Sequence, residues 1–312
     1  MTFEEVAALP IPHRLAFVRL ALFDDRVVLG GLSESEAAET SPSLPWGALV
    51  CELSSGSVGQ FSRFPLGGHV TGLDGCASPL ALVGDSVAVI VGEDSHSLLG
   101  VWDRSTNKWS TYPRNSNFSQ AVAGYAPGAA HVVCLNEGGT TAQLYLIELA
   151  GERRVRILPA PQVAGALAVA VNAQLSHTAL AGERAVVCSS LDGAQVRSWP
   201  CEQRLFALCF AEDDLAVFGA WNRGIALYQW GGEVQYFEVP SMRPRALDQK
   251  TRLAFFSNQK TREFVELDLS SGRERSSGVL PHYDSFDVDL QRRRLVTWSD
   301  QEQLVRLFQM IE

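Results

Sequence analysis

The sequence has no run of about 18 apolar residues, so no segment is expected to cross a membrane as a helix. Its opening, MTFEEVAALPIPHR, puts two glutamates where a secretory leader would carry basic residues ahead of an apolar stretch, which reads against export. Basic charge is scarce: 26 Lys and Arg stand against 35 Asp and Glu, a net charge of −9 over 312 residues. A duplex binder needs a cationic surface to displace counterions, so nucleic acid is not an expected partner. Cysteine is sparse and unpatterned. Cys51, Cys76, Cys134, Cys188, Cys201 and Cys209 form no CxxC, and most lie in apolar runs such as HVVCLN and FALCFA. They read as small buried hydrophobes, all reduced, in a cytoplasmic protein, with a disulfide or zinc framework as the alternative.

Signatures of chemistry are missing too. There is no GxSxG elbow, no GxxxxGK[ST] or GxGxxG phosphate loop and no DxDxDG calcium loop. The histidines, at 13, 69, 96, 131, 177 and 282, form no HxH or HExxH. Asp94-Ser95-His96 could offer two metal ligands from one loop, but reads first as a solvated turn. Asp287 and Asp289 lie two apart and could be an acid pair. With QRRR following, Asp289 is expected to close a strand and Asp287 to meet a neighbouring cation. Arg292-Arg293-Arg294 is expected to be a solvated face, with a phosphate patch as the alternative. No catalytic residue, metal or cofactor is expected, and a small ligand is left open.

What is present is a repeat. The hydrophobic fraction of 46% and charged fraction of 20% are globular values. Seven times, a strand-like run ends in proline after an apolar or aromatic residue: Pro10, Pro65, Pro113, Pro159, Pro200, Pro240 and Pro281. The intervals are 55, 48, 46, 41, 40 and 41 residues. The 31 residues after Pro281 and the first ten together make one more period of 41.

Each unit holds four short β-branched or aromatic runs bounded by turn residues, with no sustained helical spacing. Residues 203–240 read RLFALCFA, AEDD, LAVFGA, WNRG, IALYQW, GG, EVQYFEVP. Middle runs such as LAVFGA and LAFF are apolar on both faces, as packing between two neighbours requires. Fourth runs such as RVRIL alternate, with Arg154 and Arg156 opposing Val155 and Ile157. Their terminal prolines lack the N–H that would recruit another strand. Glycine or asparagine recurs between the third and fourth runs, at 54–56, 105–107, 192–193, 231–232 and 270–272, which is hairpin chemistry.

Four antiparallel strands every 40 to 50 residues predict an all-β fold, a seven-bladed β-propeller in one domain. Blades 1 to 6 fall at 11–65, 66–113, 114–159, 160–200, 201–240 and 241–281. Residues 282–312 begin blade 7, and 1–10 close it as the N-terminal outer strand. Merging two of the weaker units would give six blades instead. Residues 32–46 form a polar insertion that carries Glu34, Glu36 and Glu39.

Unit 2, GHVTGLDGCASPLALVGDSVAVIVGEDSHSLLGVWD, resembles a WD (Trp-Asp) repeat. Gly68-His69 stands where that family's Gly-His opens the repeat, and Trp102-Asp103 where its Trp-Asp ends the third strand. The length and strand pattern extend over nearly the whole chain; the dipeptides occur in this unit only. The resemblance implies a polar network of His69, Trp102 and an acid that Asp94 could supply. It also implies a rigid platform for proteins or peptides, usually without catalysis.

Two functions follow as expectations. The first is a non-catalytic interaction scaffold for a protein or peptide partner, within a multi-protein complex. The second is a propeller enzyme of lactonase or hydrolase type, with carboxylates converging at the channel mouth; a sugar or lipid-headgroup module is a third. On the scaffold reading, the binding face carries the fourth-to-first and second-to-third connections of blades 5, 6, 7 and 1. The partner-binding candidates there are Arg14, Arg204, Trp221, Arg223, Arg243, Arg245, Lys260, His282 and Tyr283, with His13 and Asn222 beside them. Trp and Arg are the residue types that dominate interface energetics. A cationic sector on an acidic protein would select an acidic segment.

Overall fold

A computed structural model describes residues 1–33, 46–65, 69–70, 80–93, 96–112, 131–136, 143–149, 155–159, 163, 168–172, 174–194, 196–211 and 216–311. Among these residues every regular element is a β-strand, and neighbouring strands pair antiparallel with their sequence neighbours. The strands fall into seven sheets. The fifth is typical: Ala207–Phe210, Ala216–Trp221, Gly224–Gln229 and Gln235–Glu238, in that spatial order. The sixth runs Arg243–Asp248, Leu253–Ser257, Glu263–Asp268 and Arg273–Val279. The third shows three strands among the described residues, where four were expected.

The seventh sheet joins the two ends of the chain. Its own strands are Ser285–Asp289, Arg294–Ser299 and Leu304–Ile311. Thr2–Pro10 completes it, pairing antiparallel with the last of these from Thr2 opposite Ile311 to Pro10 opposite Leu304. The pairing removes the edge that the last strand would otherwise present.

Burial follows position within a sheet. All six residues of Ala216–Trp221 and all five of Leu253–Ser257 are buried, whereas outer strands such as Arg273–Val279 are largely exposed. Val155 and Ile157 are both exposed beside Arg156, so this outer strand does not divide into the expected apolar and polar faces. Five third-to-fourth turns each hold one residue in the left-handed region: Gly56, Asn107, Gly193, Gly231 and Gly272. Four are glycines because a side chain is strained there.

Adjacent sheets share apolar cores. Phe218 and Leu227 of the fifth sheet pack with Phe256 and Leu267 of the sixth. Phe255 and Phe264 of the sixth pack with Leu295 and Phe308 of the seventh. Trp298 of the seventh packs with Leu29 and Leu49 of the first sheet, and Val50 of the first packs with Val89 and Trp102 of the second. A single cluster spans the third, fourth and fifth sheets. The arrangement is a β-propeller.

The seam between the first and second sheets holds Trp102, the indole of the expected WD network. Trp102-Asp103 does end the third strand, His96–Asp103. The Trp102 indole N–H, however, donates to Asn107 Oδ1 at 3.0 Å, which also accepts from the Ser62 hydroxyl at 2.9 Å. Trp109 Nε1 donates to Ser62 Oγ at 2.9 Å, and the two indoles stack 6.0 Å apart. Asn107 and Ser62 thus engage the two indoles, while the His69 side chain and Asp94 of the expected network lie outside the described residues. Asp103 caps the following turn by accepting from the Ser105 and Thr106 N–H groups. Gly68, Asp94, Ser95, Cys76 and the 34–45 insertion lie outside the described residues.

The arginine run is a solvated face only in part: Arg292 is exposed, whereas Arg293 and Arg294 are largely covered, and all three are paired. Arg292 pairs with Asp289 at 3.1 Å and with Asp24 of the first sheet's turn at 2.5 Å. Arg294 pairs with Asp289 at 3.4 Å and donates to the Asp24 carbonyl. Arg293 turns the other way, to Glu266 of the sixth sheet at 2.5 Å. One turn of the seventh sheet thus ties both neighbours. Asp289 does meet cations. Asp287 meets none among the described residues: its carboxylate accepts the Leu22 N–H of the first sheet at 2.8 Å. Burial is the main reason that its pKa is pushed up to about 6; the nearby Asp289 adds to the rise, and backbone N–H groups oppose it.

Candidate functional site

The fourth-to-first and second-to-third connections share one face of a propeller, because strand direction alternates. In the fifth sheet, Asn222 and Arg223 are the two residues between Trp221 and its partner Gly224. Arg223 is exposed, as is Arg204 in the connection that enters the sheet. Residues 239–242 carry the chain from the fifth sheet into the sixth, with Ser241 in the left-handed region. Between these two connections is an open cleft of about 670 Å³. Asn222, Arg223, Glu238 and Arg243 give it polar walls, and Val239, Pro240 and Met242 an apolar floor.

A second cluster lies where the sixth sheet meets the seventh. The register of the sixth sheet's first strand shifts between Pro244 and Ala246, so Arg245 is the extra residue of a bulge. Bulges re-aim side chains. Here Arg245 Nε donates to the buried Ser257 hydroxyl at 3.3 Å. Tyr283 packs edge-on against Phe286 at 4.7 Å between ring centres, and its buried hydroxyl has no well-formed hydrogen bond. Burial raises the Tyr283 pKa, opposed by Arg245, Ser257 and Arg262. Lys260 is exposed in a turn that Asn258 Oδ1 organises by accepting the Lys260 and Thr261 N–H groups. His282 is exposed and close enough to Glu302 to help hold that carboxyl below its usual pKa, after Arg306 as the main cause. Arg14 is exposed, and His13 tilts against Phe61 at 6.1 Å.

Of the nine candidates, Arg223 and Arg243 therefore share a cleft, and Arg245 and Tyr283 share a cluster. Arg14, Arg204, Lys260 and His282 are exposed without joining either. Trp221 is a correction. It is the last residue of a strand, only 5% exposed, and belongs to the core cluster. Its ring meets Tyr236 edge-on at 5.8 Å and covers Gly224, where an added Cβ would fall 2.7 Å from the indole. Trp221 supports the turn that presents Arg223 and is not itself a contact surface. Glu238, Val239, Pro240 and Met242 were missed in the sequence reading. The signal was there, since VPSM joins two strands on the same face as Arg223.

No family model and no curated protein sequence matches this chain. Solved structures do share its shape. The β-propeller domain of Cps50 (Swd1) from Myceliophteria thermophila superposes with a TM-score of 0.66, over 99% of this chain and 100% of that one, at 10% identity. The chain folds as a β-propeller. A chain of a mitotic checkpoint complex gives a TM-score of 0.65 over 100% of this propeller and 94% of its own length, at 10% identity. A chain of a nidogen/laminin complex gives 0.50 over 75% and 90%, at 12% identity. At these identities the likeness describes the fold; activity is argued from the site.

Among the described residues no three His, Cys, Asp or Glu side chains come together as metal ligands, and no helix is long and apolar enough to cross a membrane. Cys51, Cys188, Cys201 and Cys209 are buried, and burial pushes the Cys51 thiol up to about 12.

Proposed function

We propose that this propeller is a non-catalytic scaffold, a single seven-bladed cytoplasmic domain, whose connection face takes an acidic segment of a protein partner. One observation carries the reading: Arg223 and Arg243 line the same cleft beside an apolar floor. Guanidinium groups hold carboxylates by paired, charge-assisted hydrogen bonds. Val239, Pro240 and Met242 give the backbone and apolar side chains of such a segment something to cover. Glu238, in the same wall, repels a carboxylate placed out of register, which favours specificity. The seven sheets, six of whose seams have shared cores, support the ring, as does the pairing of Thr2–Pro10 with the last strand.

The test is a fluorescence-anisotropy titration with a labelled glutamate-rich peptide and its glutamine counterpart. The acidic peptide is expected to bind, more weakly as salt rises, while the glutamine peptide does not. Arg223→Ala and Arg243→Ala should each weaken binding by about 1–3 kcal/mol, with melting temperatures close to the native value. Equal binding of the two peptides, or indifference to both substitutions, would refute the reading.

A further inference from the structure

Phe17 is the most exposed large apolar side chain described, at 73%. It lies in the first sheet's first strand, Leu15–Phe23, where the pairing register shifts between Ala16 and Arg19. Its φ is 52°, in a region that bulky residues avoid. The fold gains little from phenylalanine at this point. A glycine would relieve the backbone, and most of the ring's surface is already in water. A bulky residue in a strained and exposed position points to a role outside folding.

Its surroundings indicate what it meets. Trp46 opens the same sheet's third strand, and its ring centre is 6.5 Å from that of Phe17, with the planes 32° apart. Trp46 is half-buried and packs on the core between the first and second sheets, so it is a fixed wall, with Phe17 as the outward step. Both residues lie at the connection-face end of their strands, Phe17 shortly after the 11–14 connection. Arg14 and Arg19 are exposed on either side of Phe17 in the chain. An aromatic step between two cations complements a bulky apolar side chain bordered by carboxylates.

We propose that the Phe17–Trp46 step holds one aromatic or large aliphatic side chain of an acidic protein segment, with Arg14 and Arg19 engaging the flanking carboxylates. This rests on the reading that the connection face takes an acidic segment, and it adds the residue that such a segment must contain.

The experiment compares two labelled peptides of alternating glutamate and serine, one with a central phenylalanine and one with alanine in its place. On the native protein the phenylalanine peptide should bind at least tenfold more tightly. In Phe17→Gly that preference should vanish, the alanine peptide should bind as before, and the melting temperature should equal or exceed the native value. Equal affinity of the two peptides on the native protein overturns the proposal while leaving the acidic-segment reading intact. So does a preference that survives Phe17→Gly. If neither peptide binds, both readings fall. Sedimentation of the native protein and of Phe17→Gly supplies the last outcome: a native dimer that the substitution dissociates would mean that a second copy occupies the step, and would also overturn the proposal.

Discussion

Arg293 and Glu266 make the seam between the sixth and seventh sheets a place where one substitution should have a large and interpretable effect. Glu266 lies in the middle of the strand Glu263–Asp268 with no exposed surface. Its carboxylate accepts from Arg293 Nη1 at 2.5 Å and from the Ser276 hydroxyl at 2.7 Å. Arg293→Met would keep an apolar chain of similar length but leave that carboxylate with a single hydroxyl as partner. Breaking a buried pair from one side typically costs about 3–5 kcal/mol, because the remaining charge has lost both water and its counter-ion. For a chain of this size each kcal/mol moves the melting temperature by roughly 2–3 °C, so a fall of about 6–15 °C is expected.

The informative variant is the double one. Arg293→Met with Glu266→Leu removes both charges and replaces them with apolar groups of similar volume, an exchange that is often close to neutral. It should be more stable than Arg293→Met alone, by about 2 kcal/mol or more. Glu266→Leu by itself should cost less than Arg293→Met, because the Arg293 side chain is 19% exposed and can turn toward water. Urea midpoints and melting temperatures of the four proteins, in one buffer, give the coupling energy directly. If the two single effects simply add, the seam does not depend on the ion pair. Arg293 would then act by packing, and the account of the arginine run as a tie between sheets would be wrong.

Two further outcomes are expected. Trp221→Ala should lower stability by roughly 3–5 kcal/mol and the melting temperature with it, because it empties a buried site beneath the Asn222-Arg223 turn, whereas Trp221→Phe should recover most of the loss; an unchanged melting temperature for Trp221→Ala would return this residue to the surface. Asp287→Asn keeps a carbonyl oxygen for the Leu22 N–H, so it tests the charge alone. The Asp287 pKa is raised from 3.8 to about 6, so the folded protein holds this proton more tightly than the unfolded chain. The resulting stability is fully present below pH 3.8 and is lost as pH rises through about 6. The variant should therefore melt above the native protein at pH 7.5 and together with it near pH 4. An equal difference at both values would exclude titration of Asp287 as the cause.

The parts of this molecule that were legible in its sequence are those fixed by local chemistry. The period was readable because proline lies at or just beyond the ends of outer strands such as Val155–Pro159 and Val196–Pro200, and glycine or asparagine sits where the third-to-fourth turns need a left-handed residue. The pairing of the first strand with the last was readable because the remainder of the period was missing at one end and present at the other. The direction in which a side chain faces was harder to read. AWNRG looked like a polar connection, yet the turn occupies only two residues, so Trp221 pairs with Gly224 and turns inward. The clue was the glycine, whose missing side chain makes room for the indole. In LAFVRL, strict alternation from Leu15 would put Phe17 on the same side as that buried leucine. The bulge breaks the phase, leaving Leu15, Val18 and Leu20 buried and Phe17 and Arg19 exposed. Three successive arginines looked solvated because their acids, Asp24, Glu266 and Asp289, come from three different sheets. Only closing the ring brings Asp24 and Glu266, which are 242 positions apart in the chain, to the same turn. Contacts of that kind leave no local pattern, and they are the ones that decide which charges remain on the surface for a partner to meet.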